Sequence, residues 1–150
     1  MAGILLGQVF AKPRMVSVSS DERAERYTYL GDKQAVLRLD LNAIRRHQWS
    51  AELPNPPVAA RKAIEKATAA FKQMRQKDEL LKDRGDGSWE IESVNLTPLD
   101  PGNDNRENKD CWYWLVRYEL FGSIGGQPPQ LEIAILMDGT VVRPAVREQE

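Results

Sequence analysis

Apolar residues recur at three- and four-residue steps within positions 58–82: Ala60, Ala63, Ile64, Ala67, Phe71 and Met74 fall on one helical face. Arg61, Lys62, Glu65, Lys66, Lys72, Gln73 and Gln76 fill the other. The spacing predicts one long amphipathic helix over 58–82. Its apolar stripe is rich in alanine, which lets a helix lie close across a flat partner such as a sheet. Pro54, Pro56 and Pro57 precede it and suit a helix start rather than a strand interior, with Asn55 as the expected N-cap. Gly85 and Gly87 are the expected stop.

Elsewhere the period is two. In 35–41, Val36 and Arg38 point one way and Leu37, Leu39 and Leu41 the other. In 88–96, Trp89 and Ile91 are followed by Val94 and Leu96, and this change of parity predicts a β-bulge. In 111–121, Trp112, Trp114, Val116 and Tyr118 share one face and Tyr113, Leu115 and Phe121 the other. In 131–137, Leu131, Ile133, Ile135 and Met137 align, Asp138-Gly139 turns, and 140–142 adds an edge piece. Met15, Val16 and Val18 suit a short strand, 19–25 a serine-capped turn or short helix, and Gly31-Asp32 a turn. Residues 1–34 are expected to be a poorly ordered N-terminal segment, 35–146 a single domain, and 147–150 a solvated tail. The order strand, helix, strand, strand, strand predicts an α+β fold: one long helix packed on a single curled antiparallel sheet.

That order is similar to the cystatin-like architecture. Within it, 56–143 resembles the PepSY family of small, mostly exported bacterial domains. The resemblance rests on the Ala-rich helix Ala59-Ala60-Arg61-Lys62-Ala63-Ile64-Glu65-Lys66-Ala67, on Trp89-Glu90-Ile91, and on Trp114-Leu115-Val116-Arg117-Tyr118-Glu119. It ends on Ile133-Ala134-Ile135-Leu136-Met137-Asp138-Gly139-Thr140-Val141-Val142. Asp138 and Gly139 are adjacent, where PepSY sequences usually space the two, and the linker 99–110 is long and polar. The resemblance implies a non-enzymatic module that binds or restrains peptidases, or senses ligands, at the bacterial envelope.

Composition narrows this picture. With 150 residues the chain suits one domain with a core that needs no staples. A net charge of -1 gives the whole molecule no pull towards nucleic acid, so none is expected as a partner, although local patches remain open. The lone Cys111 and lone His47 exclude an internal disulfide and the usual zinc sites, and no cofactor is expected. No apolar run is long enough for a membrane helix. The stretch 4–10, with Val9 and Ala11 at the third and first positions before a cut, fits a signal-peptidase site, but no Lys or Arg precedes it. Two readings follow: an exported chain, periplasmic or secreted, which is the favoured one, or a cytosolic domain with a docking strand at 4–10.

The candidate chemistry is sparse. A nucleophile at Cys111 needs His47 within hydrogen-bond reach, and a buried, inert thiol is the simpler expectation. The oxygen-rich stretch 100–110 lacks the glycine of a calcium loop and carries Arg106 and Lys109, so a solvated hairpin loop is expected there. Arg45-Arg46-His47 with Trp49 is too small a basic cluster for nucleic acid, and Arg84-Gly85-Asp86 is a turn. The consecutive rings of Trp112, Tyr113 and Trp114 must place aromatics on both sides of their strand. The candidate partner surface is the outer face of the sheet, around Tyr113, Leu115 and Arg117, or their neighbours of opposite parity, Trp112 and Trp114. A non-catalytic domain that binds a protein or peptide there is the first expectation. The alternatives are a ligand pocket or enzyme lined by Glu90, Glu92 or Glu132, and a homodimer formed through the sheet.

Overall fold

Strands 112–121 and 130–136 hold the densest apolar sequence in the chain, and they form the centre of the molecule. The computed structural model describes residues 15–18, 23–82, 87–99, 106–122 and 126–148. The elements run β1 (Met15–Val18), β2 (Arg23–Leu30), β3 (Lys33–Asp40), α1 (Leu41–Arg45), α2 (Ala60–Lys77), β4 (Ser88–Pro98), β5 (Trp112–Phe121), β6 (Gln130–Leu136), β7 (Val141–Val142) and β8 (Ala145–Glu148). Among the described residues the strands make two open antiparallel sheets, in the orders β1-β2-β3-β8 and β4-β5-β6-β7. The fold is α+β, with one long helix.

The second sheet is the middle layer. Its helix-side face carries Trp114, Val116, Tyr118, Leu120, Leu131, Ile133 and Ile135, which pack on Ala63, Ala67, Ala70 and Phe71 of α2. The alanines let the helix axis come close, and Phe71 fills the gap that they leave. Phe71 stacks on Tyr118 at 4.3 Å between centroids and meets Trp89 edge-on at 5.4 Å. The opposite face carries Tyr113, Leu115, Ala134 and Leu136, against Ala24, Leu37 and Leu39 of the first sheet and Leu41 and Ile44 of α1.

Each end of α2 is fixed from outside the helix. At the start, Trp114 Nε1 donates to the Val58 carbonyl at 2.7 Å, and the N-cap is Ala59 rather than Asn55, with no side-chain capping bond. At the end, the Asp78 carboxylate accepts the Leu80 amide at 3.0 Å and starts a 3-10 turn, Glu79–Leu81. This turn inserts Leu81 into the core, so the helix stops at Lys77 and does not reach 82. Ala60, expected inside, is exposed.

Several expectations are corrected. A single curled sheet is replaced by two sheets, because β2 and β8 join β3. The boundary at residue 35 does not hold: β2 pairs with β3 along its whole length, and Ala24 and Leu30 are buried. Residues 23–25 are strand rather than turn or helix. Arg147 and Glu148 belong to β8, register-matched to Gln34 and Lys33, rather than to a solvated tail. The parity change in β4 is a register shift between Ile91 and Ser93. Asp138-Gly139 is a turn, and Gly139 takes φ 90°, which suits a residue without a Cβ. The expectations on 1–14, 19–22, 84–86, 100–105 and 149–150 lie outside the described residues.

Candidate functional site

The face expected to meet a partner lies inside the protein. Tyr113 is fully buried, Leu115 and Trp114 are buried, and Trp112 and Arg117 are partly so. The β2–β3 hairpin and α1 cover Tyr113 and Leu115, while Trp114 faces the helix layer. The sequence expectation failed because the hairpin was assigned to a poorly ordered segment. Trp112 meets Trp49 edge-on at 6.2 Å, so the Trp49 of the small basic cluster is a packing residue. Arg45 of that cluster is occupied with Asn108 Oδ1 at 3.0 Å and Glu107 at 3.6 Å.

Of the three carboxylates that were candidates for a pocket, Glu132 is buried between the sheets, at 1% exposure. The Arg26 guanidinium donates to both its oxygens, at 2.9 and 3.3 Å, and Arg117 Nη2 donates to Oε2 at 2.9 Å. Arg117 Nη1 reaches on to Glu92 at 3.3 Å. Glu90 is exposed and accepts the Ser88 hydroxyl. Burial acts to lower the Arg26 pKa, and the adjoining Glu132 carboxylate more than reverses it, so Arg26 stays charged. The Tyr113 hydroxyl is buried beside this group without a regular hydrogen bond. Burial raises its pKa, and the Arg26 charge opposes that shift. The two carboxylates and two guanidiniums neutralise one another, which leaves no charged group free for acid–base work here.

Cys111 and His47 do not meet. The Cys111 thiol lies 3.7 Å from Gln48 Nε2, and burial pushes its pKa up, the wrong direction for a nucleophile. His47 Nε2 lies 3.4 Å from Asp138 Oδ2. Among the described residues no three His, Cys, Asp or Glu side chains converge as a metal site would require. No helix among them is long and apolar enough to cross a membrane.

The strongest charge imbalance is on the solvent side of α2. The helix carries Arg61, Lys62, Lys66, Lys72, Arg75 and Lys77 against a single carboxylate, Glu65. Of the chain's 21 cations and 22 carboxylates, six and one lie on α2, so the helix is at +5 and all other residues together at −6. Lys62 pairs with Glu65 at 3.7 Å, and Arg75 Nε donates to the Leu81 carbonyl at 2.8 Å. Arg61, Lys66, Lys72 and Lys77 make no ion pair among the described residues. Arg143 borders the face and donates to Gln73 Oε1 at 2.7 Å. The helix spans about 27 Å at 1.5 Å per residue. In sequence these residues stand out only as the polar face opposite the apolar stripe. The available signal was the ratio of Lys and Arg to Asp and Glu within one element.

With this geometry in hand, comparison with other proteins adds nothing: no family model, curated protein or solved structure matches the chain.

Proposed function

We propose that this chain is a non-catalytic interaction domain that docks a macromolecular partner on the solvent face of α2. The observation that carries the reading is the separation of charge: +5 on one helix in a chain of net charge -1. Such a separation costs stability through like-charge repulsion along the helix, so a use for it is the simplest account. The mutual neutralisation of Arg26, Glu132, Arg117 and Glu92, together with an inert Cys111, supports binding rather than catalysis. The PepSY-like character and an envelope location belong to the same proposal. They are supported by the run of an Ala-rich helix into the antiparallel strands β4 to β7 and the Asp138-Gly139 turn.

The test is an amide NMR spectrum of the labelled full chain in an extract of its native cells. Broadening confined to α2 supports docking on that face. Broadening centred on Glu132 and Tyr113 indicates a small ligand between the sheets instead. Changes along β4 that depend on the chain's own concentration indicate a homodimer through the sheet.

A further inference from the structure

We infer that the α2 face takes an acidic protein segment in helical form, an inference that rests on the docking role proposed for that face. The cations lie in two rows. Arg61 and Lys72, eleven residues or about three turns apart, share one flank. Lys66 and Lys77, with the same spacing, share the other, and Lys62 stands between the flanks, paired with Glu65. At about 100° per residue the flanks stand about 140° apart around the axis. Between them run Glu65, Ala69, Gln73 and Gln76.

This layout matches one side of a helix pair. Ala69 is exposed and small, so a second helix can bring its backbone close over the middle of the face. Gln76, and the amide nitrogen of Gln73 (its oxygen already accepts from Arg143), offer hydrogen bonds in the same strip. The flanking rows then stand where the charged flanks of a paired helix stand, and they require carboxylates on both sides of the partner. Lys66 is held in place, because its stem lies over the Gly139 turn, 3.5 Å from where a Cβ would sit.

Other polyanions fit less well. A nucleic-acid duplex longer than α2 would run past its end onto Asp78 and Glu79. The outward positions of α2 carry no aromatic ring to stack on a base. A lipid surface is normally gripped by apolar side chains as well as charge, and this face offers only Ala69.

The test titrates the labelled full chain, at about 0.15 M salt, with three probes: a helical Ala/Glu peptide about as long as α2, a DNA duplex, and vesicles containing phosphatidylserine. The peptide is expected to shift amides in 61–77, and Lys66→Glu/Lys72→Glu/Lys77→Glu to weaken it at least about tenfold. Lys72 and Lys77 are exposed and Lys66 is half-buried over the Gly139 turn, so Lys66→Gln/Lys72→Gln/Lys77→Gln, expected to fall between the two, guards against a folding defect. Tighter binding of the duplex or the vesicles at 61–77 overturns the inference, as does a peptide response that ignores the charge reversal. If α2 broadens in cell extract while the peptide fails, the partner's chemistry is wrong and the docking face stands. If the extract broadens a different surface, both fall.

Discussion

The two faces of the β4–β7 sheet solve the same packing problem with different chemistry. Against α2 the contact is chiefly apolar, and the Tyr118 hydroxyl in it meets Thr68 Oγ1 at 2.9 Å. Against the β1-β2-β3-β8 sheet the contact is divided. Ala24, Leu37, Leu39, Tyr113 and Leu115 form an apolar part. Beside it sit Arg26, Glu132 and Arg117, and a Tyr113 hydroxyl without a regular partner. Apolar contact is tolerant of sliding, whereas a guanidinium that must find both oxygens of one carboxylate admits one register. The helix face is therefore expected to carry more of the stability and the sheet face more of the specificity.

The largest break should come on the helix side. Phe71→Ala removes the ring between Tyr118 and Trp89 and is expected to cost about 4 kcal/mol in urea unfolding. On the other face, Glu132→Gln leaves the buried Arg26 guanidinium without its counter-ion, while Arg117 keeps Glu92, with an expected cost of about 3 kcal/mol. The paired replacement Arg26→Met/Glu132→Leu is expected to restore the loss to within about 1 kcal/mol of the parent. If that pair is as damaging as Glu132→Gln alone, the ion group stabilises the fold outright and the division of labour is wrong.

Smaller effects should separate the two tyrosines by sign. Tyr118→Phe loses a made hydrogen bond and is expected to destabilise by about 1 kcal/mol. Tyr113→Phe removes a buried hydroxyl that lacks one and is expected to be neutral or to gain up to about 1 kcal/mol. The smallest effect is with pH. Burial raises both phenols above their ordinary value of about 10. The native state then holds protons that the unfolded chain has released, so stability falls as pH rises from about 10 towards the raised values. Tyr113→Phe should flatten part of that fall in melting curves, and an unchanged slope would place the titration elsewhere.

Much of the helix side was legible in sequence, because its strands and helix carry regular apolar periods. The bulge in β4 was legible for the same reason, as a parity change. The first sheet was not. The inward positions of β2 are Ala24, Arg26, Thr28 and Leu30, so two of its four buried residues are polar. Its outward positions include Tyr27 and Tyr29, which reverses the pattern a reader looks for. Arg26 is buried only because Glu132, far along the chain, meets it. Likewise β8 is four residues with two charges and becomes a strand through its pairing with β3. Local sequence records neither partner. The basic residues of α2 were visible one by one, but their separation from the acidic remainder shows only once the buried and exposed sides are fixed.

The distance along the chain between Arg26 and Glu132 has a consequence for biosynthesis. The two are 106 residues apart, and a ribosome adding 5–20 residues per second takes about 5–20 s to cover that length. For that interval β2 and β3 lack the sheet that covers Ala24, Leu37 and Leu39 in the fold. Arg26 and Thr28 on the same inward side break up that sticky surface while it waits.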